Sequence, residues 1–218
     1  MSLDFDSARL PNKSLTQEHH EWRSQLRRFF DREVIPYAAQ WDEDGHIPHE
    51  LWPKAAAVGI LGLGYPEEFG GVSEGIDLWY SIILNEEMAR VAVGGVGATL
   101  MVHGIGLPPV INFGSDEVKQ MVAPPVLAGT KRISLAITEP GAGSDVAHLT
   151  TTARLDGDHY VVNGSKTYIT GGMNANWFTT AVRTGGEGAG GVSTLLIPAD
   201  AEGVSRTALD KKQGWWCS

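Results

Sequence analysis

The chain has 218 residues, enough for one large or two small domains, and a composition of 42% hydrophobic and 20% charged residues that reads as an ordinary soluble globular protein. Seventeen basic against 26 acidic residues give a net charge of −9, which repels phosphate backbones and anionic lipid and so argues against nucleic-acid binding and membrane-surface docking. The single cysteine, Cys217, excludes an internal disulfide, and no run approaches the 18 or so apolar residues of a membrane span.

Charge divides the chain in two. Met1 to Thr130 carry 9 basic and 18 acidic residues, whereas Lys131 to Ser218 carry 8 of each. Met1 to Leu10 hold Asp4 and Asp6 and lack a basic stretch followed by an apolar one, so they resemble neither a secretory signal nor an Arg-rich transit peptide. With the lone cysteine, this gives a cytoplasmic expectation. The triplets Asn12-Lys13-Ser14 and Asn163-Gly164-Ser165 are chance matches to a glycosylation pattern in that setting.

The first 130 residues read as helices. Ser14 with Gln17 resembles a capping box, after which Trp22, Leu26, Phe29, Phe30 and Val34 fall at helical spacing on a helix ending near Asp44-Gly45. Arg23, Arg27, Arg28 and Arg32 make its polar face, balanced by nearby acids. Pro48 suits a first helical position for a short helix over His49 to Val58. A Gly-rich joint, Gly59 to Gly71, leads to a third helix over about Ile76 to Arg90. That helix turns Ile82, Ile83 and Met88 inward and Glu86 and Glu87 toward a solvated or subunit-contact face. Val93 to Pro109 is rich in small residues, which permit close helix packing or close ligand approach. Pro108-Pro109 and Pro124-Pro125 start or break helices, and Ser115 caps the helix that holds Glu117, Val118 and Met121.

Past Lys131 the period changes to two. Ile133, Leu135 and Ile137 alternate with Ser134, Ala136 and Thr138. Further strands are read at Thr150 to Leu155, Tyr160 to Val162, Lys166 to Thr170, Trp177 to Val182 and Val192 to Ile197. Asp156-Gly157-Asp158 is a turn, Asn163-Gly164 is a two-residue hairpin signal, and Gly185 to Gly191 is a loop. The expectation is an α+β chain: an all-α domain over residues 1–130, then an antiparallel β-barrel or sandwich domain over 131–218.

Taken alone, Gly141-Ala142-Gly143-Ser144 is as well read as a strand-to-loop turn as a ligand loop, and the missing third glycine and following helix set it apart from a dinucleotide fingerprint. The surrounding residues carry more. Ala136-Ile137-Thr138-Glu139-Pro140-Gly141-Ala142-Gly143-Ser144-Asp145 resembles the main signature of the acyl-CoA dehydrogenase family, T-E-P-G-A-G-S-D. Four other stretches fit the same family in order: Glu33 to Ala38, Pro66 to Gly71, Asn112 to Gln120, and Asn163 to Lys166 continuing through Tyr168 to Gly172. Together they span nearly the whole chain.

The resemblance implies FAD as cofactor. A ring that accepts hydride gains charge along one edge, and a strand ending in a hydroxyl and backbone N–H groups could stabilise that charge. By resemblance, Leu135, Ile137 and Thr138 lie along the flavin edge. Gly143 and Ser144 lie near the pyrophosphate, Ser144 also near bound acyl-CoA, and Tyr168 lies against the ring where many relatives carry Trp. Ile169 belongs to the same stretch, and Thr170 lies near the ring's N5. The activity implied is dehydrogenation of an acyl-CoA thioester to 2-enoyl-CoA with an electron-transferring flavoprotein as acceptor, in a tetramer or dimer. Alternatives are an acyl-CoA oxidase, a flavin monooxygenase of the same fold, or a non-catalytic FAD- or acyl-CoA-binding subunit completed by another chain.

The family's catalytic glutamate lies in a C-terminal helical domain expected beyond Ser218, so no catalytic residue is assigned. The chain is read as truncated, inactive alone and silent on acyl chain length and branching, with Asp210 to Trp216 leaning weakly toward medium or long straight chains. Glu139 and Asp145 are read as loop-shaping acids rather than acid–base groups. The seven histidines show no zinc spacing, and no metal is expected.

Overall fold

A computed structural model describes Asp6 and residues 9–209 and 212–218. The readings made for Met1 to Leu10 and Asp210 to Trp216 therefore fall partly outside the described residues. The chain forms two compact units that interleave in sequence. The helical unit takes the residues up to Met101, Gln120–Thr130 and the end of the chain, and the sheet unit takes Val102–Lys119 and the stretch from Lys131. The α+β class holds.

In the helical unit, α1 (Gln17–Phe29) passes into a π-turn over Phe30–Val34, in which the Ile35 N–H donates to Phe30 O at 2.8 Å, and α2 (Ala38–Asp44) follows. Gly45, at φ 65°, closes α2 where the sequence placed the stop. The cap of α1 differs from the Ser14/Gln17 reading. Thr16 is the capping residue and His19 takes the place of the glutamine, its Nδ1 accepting from Thr16 N–H at 3.0 Å. Buried His19 also reaches Asp77 Oδ1 at 3.0 Å, and that same carboxylate accepts from Trp79 N–H at 2.8 Å to cap α4 (Leu78–Ala89). One imidazole thus joins the starts of two helices through a partner 58 positions along the chain.

The core gathers Leu26, Phe29, Phe30 and Val34 with Leu51, Trp52 and Ala55 of α3 (Leu51–Ala57), Ile83 and Leu84 of α4, and Val96 and Leu100 of α5 (Gly94–Leu100). Burying such side chains contributes roughly 1.5–3 kcal/mol each. The small residues of α5 receive the chain's end. A Cβ at Gly94 would stand 2.7 Å from the Trp215 ring, and one at Gly95 would stand 2.9 Å from the buried Cys217 Sγ.

The outward placement of Glu86 and Glu87 is overturned for Glu87, which is fully buried. Its carboxylate accepts from Arg23 (3.1 Å), Arg27 (3.0 and 2.9 Å) and Arg90 (3.3 Å). Glu86 stays partly exposed and pairs with Arg23. Arg23 and Arg27 are thus balanced by acids, as read, and they form the inner wall of a charge network. Burial pushes the Glu87 carboxyl up, but the arginines outweigh it and the group lies below its ordinary range.

α8 (Asp116–Leu127) starts at Ser115, whose Oγ accepts from Val118 N–H at 3.3 Å, as read. Pro108 and Pro109 open α7 (Pro108–Phe113), also as read, but Pro124 and Pro125 lie inside α8 rather than breaking it. After α8, Gly129 holds φ 73°, and a Cβ there would come within 2.4 Å of the Trp52 backbone. Gly129→Ala should therefore lower stability by at least about 1–3 kcal/mol. An unchanged urea midpoint would contradict this close approach.

The sheet is mixed, not antiparallel. β1 (Ile133–Ala136) runs parallel to β4 (Trp177–Arg183), pairing Ile133 with Trp177 and Ala136 with Thr180. β4 pairs antiparallel with β5 (Val192–Pro198) and meets β2 (Thr152–Asp156) in parallel at Thr152–Arg183. β2 and β3 (His159–Asn163) form a hairpin turning at Gly157, at φ 65°. Parallel pairing of β1 and β4 needs an intervening crossover, which here holds the β2–β3 hairpin. α6 (His103–Gly106) packs on β1, with Thr179 Oγ1 donating to Gly106 O at 2.6 Å.

Asn163-Gly164 ends β3 and turns no hairpin, and Lys166 to Thr170 is not a strand. Tyr168 sits at φ 57°, incompatible with extended pairing, and a Cβ at Gly164 would meet Thr151 Oγ1 at 2.4 Å. No single described helix is long and apolar enough to cross a membrane.

Candidate cofactor site

β1 is buried at Ile133, Ser134 and Ala136, and its chain continues past the sheet as half-buried Ile137 and Thr138. A tight turn follows, in which Glu139 and Ala142 exchange backbone hydrogen bonds of 2.8 and 3.2 Å. Gly143, Ser144 and Asp145 then run exposed into a 3-10 turn over Val146–His148.

The irregular segment after β3 lies alongside. Thr167 N–H donates to Thr138 O at 2.8 Å, Lys166 Nζ donates to Ile137 O at 2.9 Å, and Ser134 Oγ donates to Thr170 O at 2.8 Å. Three bonds thus hold the stretch bearing Leu135, Ile137 and Thr138 against the stretch bearing Tyr168, Ile169 and Thr170. Gly143 stays near this seam, since a Cβ on it would be 3.6 Å from Thr138 Cγ2. Ser144 is the outlying member, on the exposed loop beyond.

Glu139 and Lys166 lock the seam from inside. The Glu139 carboxylate is buried. It accepts from Thr150 N–H and Oγ1, both at 2.7 Å, from Thr151 N–H at 2.8 Å and from Lys166 Nζ at 2.9 Å. Burial alone would push its carboxyl up, but Lys166, Thr150 and Thr151 together hold it well below the usual carboxylate range. It is therefore a fixed anion that shapes the loop, as read from sequence, and not a proton donor near neutrality. Asp145 also helps to shape the loop, on its surface, with Oδ2 2.6 Å from His148 Nδ1.

Lys166 falls within the Asn163–Lys166 motif, but its role is not evident from the sequence. The available signal was a lysine that must pass near an acid in an otherwise uncharged neighbourhood, because the two buried charges require each other. Arg183 was missed as well. It closes β4, a strand otherwise without charge, and it ties down the loop after Ser144.

A flavin with a phosphorylated tail fits these residues. The glycines at 141 and 143 have no positive φ, and Cβ atoms there would meet nothing within 4 Å and only Thr138 Cγ2, respectively. The chain's own packing thus gives no reason for glycine at either position, whereas close approach of a ligand would. Tyr168 is 73% exposed although its backbone is pinned, which presents an aromatic face to a planar ring. Among the described residues no group of three or more His, Cys, Asp or Glu is placed to hold a metal ion.

Two domain families match in chain order: the acyl-CoA dehydrogenase N-terminal domain over residues 16–130 and the acyl-CoA dehydrogenase middle domain over residues 134–215. A probable acyl-CoA dehydrogenase of Mycobacterium bovis is 36% identical over 213 residues, covering 96% of this chain and 52% of that protein. The solved structure of a probable acyl-CoA dehydrogenase from Mycobacterium abscessus is 47% identical with a TM-score of 0.86, over 93% of this chain and 54% of the other. An acyl-CoA dehydrogenase from Bacillus anthracis, solved in complex with FAD, is 32% identical with a TM-score of 0.84, over 95% and 35% of the two chains. The chain spans about half the length of the curated relatives it matches.

Proposed function

We propose a function from this premise: the chain belongs to the acyl-CoA dehydrogenase family. It binds FAD, and it forms the helical (1–130) and β (131–218) domains of an oxidoreductase. The reaction is dehydrogenation of an acyl-CoA thioester to the 2-enoyl-CoA, with an electron-transferring flavoprotein as acceptor. The full protein acts in the cytoplasm, in fatty-acid β-oxidation, as a homotetramer or homodimer.

Bound FAD would supply the two-electron acceptor for the hydride that leaves the substrate's β-carbon. This chain's residues bind and orient. Leu135, Ile137 and Thr138 would line the ring edge, with the Thr138 hydroxyl as a hydrogen-bond donor for it. Tyr168 would cover the ring, Ile169 would follow it in the wall, and Thr170 would offer a hydroxyl to the ring. Gly143 would leave room for the pyrophosphate, and Ser144 would donate to it or to the acyl-CoA. Proton abstraction is assigned to none of these residues.

The observation that carries this reading is the seam itself. The Thr167–Thr138 bond and the Lys166 bonds join the two candidate flavin segments, which the sequence separates by about thirty positions. The test is the visible spectrum of the purified chain before and after incubation with FAD and desalting. Retained flavin bands are expected, and they should weaken in Thr138→Val. A protein that stays colourless in both states sinks the reading for this chain.

A further inference from the structure

Arg183 is the last residue of β4, and its guanidinium donates to four backbone carbonyls on two loops. Nε reaches Leu149 O at 3.1 Å and Nη2 reaches Ala147 O at 2.7 Å, while Nη1 reaches Gly186 O at 2.6 Å and Gly188 O at 3.2 Å. Its own N–H donates to Thr151 O at 2.7 Å. The first pair of carbonyls belongs to the turn that follows Ser144, and the second to the glycine-rich loop before β5.

The glycine loop is built around this group. Gly191 O accepts from Thr184 and Gly185 N–H, and Gly188 holds φ 79°. A Cβ at Gly191 would stand 1.9 Å from Gly186 O and 2.9 Å from Arg183 Nη1, so only glycine lets the loop close over the guanidinium. A planar fork can satisfy two loops on opposite sides, which the single ammonium of lysine cannot.

We propose that Arg183 is a positioning residue for Gly143 and Ser144: it clamps the turn that follows them, through Ala147 and Leu149, to the Gly185–Gly191 loop, so that the Gly143–Ser144 stretch is held in place for a ligand pyrophosphate. The proposal rests on the reading of Gly143 and Ser144 given above. The pyrophosphate is that of FAD or that of coenzyme A.

Arg183→Lys keeps the charge and removes the fork. Gly191→Ala leaves Arg183 intact and crowds the clamp from the far side. Amide hydrogen exchange on the ligand-free chain should show residues 146–149 and 186–191 opening together in both variants, roughly tenfold faster or more, while β1 and the β2–β3 hairpin keep wild-type rates. Faster exchange in only one loop, or in neither, overturns the clamp.

Equilibrium dialysis with FAD and, separately, with an acyl-CoA ester then reads the positioning role. A tenfold or greater loss for FAD alone, or for the ester alone, assigns the pyrophosphate to that ligand, and loss for both assigns a shared turn. Unchanged affinities with loosened loops overturn the positioning role. A wild-type chain that holds neither ligand overturns the functional reading and the positioning role with it, while the exchange data still decide whether the clamp exists.

Discussion

Glu87→Ala should destabilise the protein by about 3–5 kcal/mol, a large part of the roughly 5–15 kcal/mol that holds a typical domain folded. The carboxylate has no exposed surface; Arg23, Arg27 and Arg90 hydrogen-bond it, and Arg9 lies 3.8 Å away. Arg27 keeps Asp6 and Arg90 keeps Asp31, but Arg23, itself 12% exposed, would retain only Glu86. The cost comes from breaking a buried ion pair and leaving each of these mostly buried arginines with its outer acid alone. Glu87→Gln preserves shape and some hydrogen bonds and should fall between the two.

The sign with pH follows from the lowered carboxyl. The stabilisation is fully present above the unfolded value near 4.5 and is lost as pH falls toward the folded value. Urea midpoints at pH 7 and pH 4 check both points. A Glu87→Ala loss below about 1 kcal/mol would mean that the network behaves as an ordinary surface cluster.

Lys166→Met should cost a similar amount, about 3–5 kcal/mol, because it leaves the buried Glu139 carboxylate with hydroxyl and amide partners but no cation. The double variant Lys166→Met/Glu139→Gln removes both charges and should recover much of the loss, giving a coupling energy of roughly 1–3 kcal/mol. Function should respond differently. Lys166 also holds Ile137 O, so the seam between Thr138 and Tyr168 loosens in both variants, and FAD retention should fall even where stability returns. If flavin retention simply tracks stability across the set, the pair acts on the fold and not on the site.

Much of this architecture was legible because local patterns and local chemistry agree. Gly45, Pro108, Ser115 and Gly157 punctuate the chain where their backbone preferences predict. The alternation from Ile133 onward marks the change from helix to strand. What escaped depends on distant partners. Glu86 and Glu87 are indistinguishable in a hydropathy pattern, and what buries Glu87 is Arg23 and Arg27, about sixty positions away. Lys166 to Thr170 has strand composition, yet its donors are spent on Ile137 and Thr138, and Tyr168 is turned into the left-handed region. Strand direction is likewise invisible locally, because parallel pairing of β1 with β4 follows from the path between them. Within the site, the motif marks two segments that the structure holds side by side, while the fastening contacts of Lys166, itself in the motif, and of Arg183 reach distant carbonyls that no local pattern shows.

The π-turn at Phe30–Val34 works as a phase correction. Leu26, Phe30 and Val34 are all buried, yet eight residues of regular α-helix would carry Val34 about 80° around the axis from Leu26. One extra residue held in a single wide turn brings that offset back to within about 20°. A fourfold spacing of large side chains can then serve one continuous apolar stripe. Removing a single residue there would leave a more regular helix aimed at the wrong side, so the irregular turn is what keeps the first helix in register with its own core.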